Sequence, residues 1–190
     1  MENYWIYLLW AIVVITTLID INKIPRNVKA LKDGWKGLAF LPVAVVILYS
    51  MLYVALKLAE IFPVLNWGWL GTNIVAAPLI DVATASETTG MNLISFLTII
   101  GFAITIVFLC LIANYYEEEG FRSTYKSVVI WALLHLIMGI PIYALIPIFC
   151  LGIFYKFVHD KYSLNHAYTL HFSTNVTVVA LVVAVVLLGI

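Results

Sequence analysis

Charged residues are scarce in this chain. They make up 11% of its 190 residues, whereas about 25% is usual in a soluble domain. Hydrophobic residues make up 64%, and the mean hydropathy is +1.07. This composition excludes an ordinary soluble domain and predicts an integral multi-pass membrane protein of the cell membrane, with the lipid bilayer as its surroundings. Because 10 basic residues balance 10 acidic ones, no nucleic acid is expected as a partner.

The sequence also has few cysteines and no internal repeat. The two cysteines, Cys110 and Cys150, both fall in apolar runs, which favours buried packing over a disulfide or a metal site. The chain has no internal repeat, no low-complexity tract and no HExxH motif, which would place two zinc-binding histidines on one helix. The absence of a repeat makes a proton-coupled transporter the weaker interpretation.

Long apolar runs are abundant, and they predict the fold. We expect an all-α, polytopic membrane helix bundle with about six transmembrane helices and a polar intramembrane site. The expected helices are Tyr4–Ile21, Leu38–Ile61, Met91–Tyr116, two short helices within Lys126–Lys156, and Asn165–Ile190. The first is expected to be a retained anchor rather than a signal peptide. The chain is expected to be a single membrane domain, with N-terminal spans and a loop over 1–90 and a catalytic core over 91–190.

Lys126–Lys156 is divided in two because it encloses 29 residues without a formal charge. One helix of that length would be about 45 Å long, more than a bilayer needs. Pro141 would also break a helix interior, so the two helices are expected to meet near Gly139.

Two of the connecting segments each allow more than one interpretation. Asn22–Gly37 carries five basic residues and is either a short interfacial helix or a basic loop that fixes the topology. In Phe62–Gly90, Trp67 and Trp69 suggest an interfacial belt, and Asn73–Ile80 could be a re-entrant or peripheral piece. With six spans, the positive-inside rule places both termini outside and the segment after Met91–Tyr116 at the cytoplasmic face.

That segment begins with three consecutive glutamates. Glu118 and Arg122 are four residues apart, so they share one helix face and can pair. Glu117 points about 100° away from Glu118 and is left without that partner. An unpaired carboxylate at the lipid boundary suits a general base, although a solvated helix end is an equally ordinary explanation.

Two further polar pairs fall in apolar segments downstream. Trp131 and His135 share one face of a helix, and His171 and Asn175 share one face of the last helix. A lone histidine of this kind is more often structural than catalytic. The expected topology nevertheless puts these residues at the depth of Glu117, so one polar site is predicted. One glutamate and two histidines could also hold a catalytic zinc ion.

The ordered set Glu117-Glu118-x-x-x-Arg122, Trp131-x-x-x-His135 and His171-x-x-x-Asn175 resembles the motifs of the CAAX protease and bacteriocin-processing family. Members are glutamic-type intramembrane endopeptidases related to the Ras-converting prenyl endoprotease. The resemblance covers the chain from Met91 onward. Phenylalanine usually stands where this chain has Trp131, and six helices are fewer than many members have.

The resemblance implies catalytic roles for Glu117, His135, His171 and Asn175, and supporting roles for Glu118, Arg122 and Trp131. Glu117 with His135 would activate water, and His171 with Asn175 would stabilise the oxyanion. No metal and no cofactor are implied. The expected substrate is a peptide or a lipidated protein C-terminus cut near the cytoplasmic face, and a partner membrane protein or homo-oligomer stays open. The alternative is a non-catalytic membrane-binding or bacteriocin-immunity protein of the same fold.

Overall fold

Residues 4–188 fold into helices, most of which are joined by short turns. The computed structural model describes residues 4–188, except for the side chains of residues 87–89, and contains no strand within that range. The predicted all-α class is therefore confirmed. Its α-helices are α1 Tyr4–Leu18, α2 Ile24–Asp33, α3 Leu41–Ile61, α4 Ala77–Thr89, α5 Leu93–Phe121, α6 Tyr125–Ile137, α7 Leu145–Lys161 and α8 Leu164–Leu188.

Fewer helices than expected are long enough to cross a membrane. Four segments in residues 4–188 have the necessary length and apolar character, namely Trp35–Ile61, Leu93–Phe121, Ile142–Lys161 and Leu164–Leu188. A fifth is present if α1 and the helical segment Ile21–Asp33, bent by 49°, count as one span. These helices are consistent with a multi-pass membrane protein. The count stays below six because α6, with 13 residues, is only about 20 Å long and the hydrocarbon core is about 30 Å thick.

The predicted break in the long uncharged segment is confirmed. Helix α6 ends at Ile137 and α7 begins at Leu145. Gly139 takes a positive φ of 92° in the turn between them, a conformation that costs glycine little. The backbone N–H of Ile142 donates to the carbonyl of Trp67 at 3.0 Å, and that of Ile74 donates to the carbonyl of Met138 at 2.9 Å. The segment 62–76 therefore covers the α6–α7 turn and satisfies its backbone before the chain enters α4.

The basic segment after α1 forms a helix, as one of the two interpretations expected. Asn27 and Ala30 are buried on one face of α2, and the Asn27 amide donates to the carbonyl of Leu111 at 3.0 Å. The turn that follows packs against the start of α8 so closely that a Cβ atom on Gly34 would lie 2.0 Å from the carbonyl oxygen of Asn165. These contacts fix α2 against α5 and α8.

Basic residues from separate parts of the chain meet at one end of the bundle. The guanidinium of Arg26 on α2 lies 4.0 Å from the ring centre of Tyr115 on α5. Lys156 on α7 donates to the backbone carbonyl of Arg122, just past the end of α5, at 3.1 Å. We call this the basic end; it also holds the three consecutive glutamates.

Candidate functional site

Glu118 is the most enclosed acidic residue of the cluster. It and Arg122 are both 0% exposed. Arg122 donates to the two carboxylate oxygens of Glu118 through Nε at 3.0 Å and Nη2 at 2.7 Å. The Nδ1 atom of His171 lies 2.8 Å from Oε1 of the same carboxylate and donates to it. The pair expected from the i,i+4 spacing is therefore present, with a histidine from α8 joined to it.

Aromatic rings surround this ion pair. The guanidinium of Arg122 lies 4.2 Å from the ring centre of Trp131, a cation–π contact that disperses its charge in a buried place. Tyr155 of α7 stacks on the ring of His171, with 4.6 Å between centroids and 24° between planes. Helices α5, α6, α7 and α8 thus each contribute a side chain to one cluster.

Glu117 differs from Glu118 in its surroundings. Its side chain is 27% exposed, and its Oε2 lies 3.8 Å from Nε2 of His171. The indole N–H of Trp131 donates to Oε2 at 2.6 Å. Glu117 is therefore held on one side by Trp131 and is open on another, whereas Glu119 is exposed and takes no part in these hydrogen bonds.

The two histidines each have one ring nitrogen engaged. Nδ1 of His135 lies 2.8 Å from the backbone carbonyl of Trp131 and donates to it, because a carbonyl can only accept. The ring of His135 packs edge-on against Trp131, with centroids 4.7 Å apart. Nδ1 of His171 donates to Glu118, as described above. In both histidines Nδ1 is engaged, so Nε2 is the ring nitrogen that can contact a water molecule or a substrate.

Asn175 lies one helical turn beyond His171 and makes different contacts from those expected. Its amide nitrogen lies 3.3 Å from Oδ1 of Asn114 and 3.9 Å from the sulfur of Cys110. The structure therefore brings six of the seven predicted residues into one chain of contacts and joins Asn175 to an amide of α5 instead. Sequence reasoning missed Asn114. Its position three residues before Glu117, as a polar side chain in an apolar run, was the available signal.

No group of three His, Cys, Asp or Glu side chains in residues 4–188 is arranged to hold a metal ion. The expectation of a metal-free site stays a prediction. A cavity of about 290 Å³ lies between α5 and α8, and its wall includes Ala103, Val107, Val176 and Val179. Its lining is entirely apolar and includes none of the residues of the carboxylate–histidine cluster.

No protein-family model, no curated protein and no solved structure matches this chain. Its fold and its site define a class nonetheless. Residues 4–188 form an all-α fold with four or five helices suited to crossing a membrane, and with a buried carboxylate–arginine–histidine cluster at one end.

Proposed function

We propose that this protein is an intramembrane endopeptidase in which Glu117 activates the water that attacks a peptide bond. The observation that carries the proposal is the relation of Glu117 to His171. Glu117 is the partly exposed neighbour of the buried Glu118, and its Oε2 lies 3.8 Å from Nε2 of His171. A single water oxygen can hydrogen-bond to both atoms at about 2.8 Å each.

The proposed reaction needs only water and the peptide. The water oxygen bonds to the carbonyl carbon while its proton passes to Glu117, and the carbonyl oxygen becomes an oxyanion. The tetrahedral intermediate then releases the amine as the C–N bond breaks, and the proton moves from Glu117 to the leaving nitrogen. A positioned general base of this kind contributes about 10²–10⁴-fold in rate.

His171 can assist only in one protonation state. Because its Nδ1–H is donated to Glu118, its Nε2 can donate to an oxyanion only when the ring is an imidazolium. The Glu118 carboxylate also accepts two hydrogen bonds from Arg122, and its contact with Nδ1 fixes the orientation of the His171 ring. His135, packed against Trp131, is assigned to the water-activating side with Glu117.

The motif resemblance supports the same assignment. Six of the seven motif residues, from the end of α5, from α6 and from α8, have side chains that meet around Trp131 and Glu118, whereas Asn175 contacts Asn114. We propose a peptide or lipidated protein C-terminus as substrate. Cleavage near the cytoplasmic face is part of the proposal, because positively charged segments are retained on that side and the cluster lies at the basic end.

The test compares Glu117→Gln with Glu119→Gln as its matched control. Purified proteins in detergent are incubated with a pool of synthetic apolar peptides in water enriched in oxygen-18, which labels each new carboxyl group. We expect the wild type to cleave, Glu117→Gln to lose about 10²-fold or more because the base is removed, and Glu119→Gln to keep most activity. The thermal midpoints of both variants should match that of the wild type, since neither glutamate forms the buried ion pair.

The outcomes separate the candidate mechanisms. An essential Glu119 with a dispensable Glu117 would show that the register is wrong. Activity lost with a chelator and restored by added zinc would replace the proposed base with a metal ion, which lowers the pKa of its bound water to about 7. Absence of labelled product from every peptide would favour the non-catalytic binding or immunity protein.

A further inference from the structure

Three buried side-chain nitrogens in residues 4–188 have no hydrogen-bond partner: Trp10 Nε1, Asn114 Nδ2 and Arg122 Nη1. Arg122 makes its other hydrogen bonds to Glu118, and Trp10 packs on Phe102 away from the cluster. Asn114 is different, because it is 2% exposed and adjoins the proposed catalytic residues. A buried amide donor left unsatisfied costs about 1–3 kcal/mol, so its presence calls for an explanation.

The position of Asn114 relates it to the proposed reaction. It precedes Glu117 by three residues and Glu118 by four, so its side chain points between them, about 60° from Glu117 and about 40° from Glu118. Along the helix axis, Asn114 is about 4.5 Å from Glu117. Asn114 therefore lies about one turn before the proposed base on the same helix.

Asn175 fixes the orientation of this amide. Its Nδ2 donates to Oδ1 of Asn114 at 3.3 Å, so Oδ1 is occupied and Nδ2 of Asn114 is the free end. The Nδ2 atom of Asn175 also lies 3.9 Å from the sulfur of Cys110. The donors of Asn175 are therefore directed within the protein, and the unoccupied donor of the pair belongs to Asn114.

We propose that Asn114 Nδ2 binds the carbonyl oxygen of a substrate amide, and that Asn175 positions Asn114 for this contact. The expected changes in kcat rest on the proposed endopeptidase activity, whereas binding of a carbonyl group can be measured without it. The roles differ from those implied by the motif resemblance, in which Asn175 itself donates. The ligand class is an amide carbonyl, because a neutral N–H donor in a buried place pairs best with a neutral carbonyl that becomes negative during attack.

The first experiment measures binding to the wild-type protein without any catalysis. Side-chain amide signals of ¹⁵N-asparagine-labelled protein in micelles are followed by NMR while N-acetyl-leucine N-methylamide is added. We expect the Asn114 amide signals, identified by their loss in Asn114→Leu, to shift, and those of Asn66 and Asn73 to stay in place. Unmoved Asn114 signals up to the solubility limit of the probe would overturn the proposal.

The second experiment is a double-mutant cycle on the peptide of the pool that is cleaved fastest. Asn114→Leu should lower kcat by about 10²–10³-fold with little change in KM, as expected for one oxyanion donor. Asn175→Ala in the Asn114→Leu background should then cost almost nothing more, because its role is to orient a side chain that is already gone. If Asn175 is itself the donor, its full loss persists in that background and the assignment is reversed.

The two experiments fail independently. A wild type that cleaves no peptide but shows the NMR shift contradicts the endopeptidase and leaves the carbonyl site standing. A wild type that cleaves, with no shift at Asn114 and an unchanged kcat in Asn114→Leu, contradicts the carbonyl site and leaves the endopeptidase standing. The NMR arm uses the wild-type protein, so it remains decisive if Asn114→Leu lowers stability.

Discussion

Three adjacent glutamates acquire different surroundings because each faces a different direction from the helix. Glu118 turns inward to Arg122 and His171 and is fully buried. Glu117 is partly exposed beside Trp131, and Glu119 is exposed. The sequence predicted this division from 100° per residue and the Arg122 spacing. It could not predict that the indole of Trp131 would hold Glu117, because that contact depends on how α6 docks.

The buried ion pair leads to a stability prediction. Arg122→Met leaves the Glu118 carboxylate buried without its cation, which should lower the free energy of unfolding by about 3–5 kcal/mol. Lys57→Met is the matched control, since Lys57 and Glu60 form a pair whose side chains are 53% and 64% exposed. That change should cost about 1 kcal/mol or less. Denaturant unfolding in detergent measures both.

A double variant tests whether the loss of stability comes from the unpaired buried charge. Glu118→Gln combined with Arg122→Met removes both charges, so it should recover part of the stability lost in Arg122→Met. If Arg122→Met is as mild as Lys57→Met, Glu118 does not need a cation in the fold. The account of Arg122 as the counter-ion of the buried Glu118 carboxylate would then be wrong.

At the scale of elements, the lengths of the apolar runs in the sequence predicted the long helices well. They predicted the short helices poorly. The break near Gly139 followed from Pro141 and an excess of length. The segment 62–76 could not be assigned, because its role is to satisfy the backbone of the α6–α7 turn through contacts distant in sequence. Asn114 was missed for a similar reason. A single amide in an apolar helix gains meaning only when Asn175 of α8 lies beside it.

Close packing of the turn after α2 against α8 leads to the next prediction. Gly34→Ala would put a Cβ atom 2.0 Å from a backbone carbonyl oxygen of α8, so one element must move. Overpacking of this kind typically costs about 1–3 kcal/mol. Gly101→Ala on α5 is the control, because no atom lies within 4 Å of its added Cβ and alanine favours a helix. The thermal midpoint should fall in Gly34→Ala and stay or rise in Gly101→Ala; equal midpoints would contradict the packing described.

At the scale of the whole molecule, the charges define one end of the bundle. Arg26 of α2 and Lys156 of α7 contact the C-terminal part of α5 or the turn after it, where Arg122 pairs with Glu118. The lysine pattern in the sequence predicted such an end before any contact was known. The cytoplasmic location of this end stays a prediction, and so does the count of six spans. That count depends on whether α6 crosses the membrane completely.

The length of α6 makes its far end the best place to test the number of crossings. Helix α6 starts at the basic end and extends for about 20 Å, so Ile137 should stop about 10 Å short of the opposite boundary of a hydrocarbon core about 30 Å thick. Non-helical backbone at that depth is tolerated only where protein covers it. The contact of the Trp69 indole with the carbonyl of Leu136 at 2.8 Å supplies such cover.

Single cysteines placed in a chain lacking Cys110 and Cys150 test this with a thiol reagent that cannot cross membranes. Cysteine at Lys29 should react only from the cytoplasmic side, and cysteine at Val64, beyond α3, only from outside. Ile137→Cys should react from neither side, although Ile137 is 69% exposed on the protein surface, because hydrocarbon suppresses formation of the reactive thiolate. Reaction of Ile137→Cys from outside as fast as Val64→Cys would mean that α6 crosses completely, which gives six spans when α1 and Ile21–Asp33 count as one.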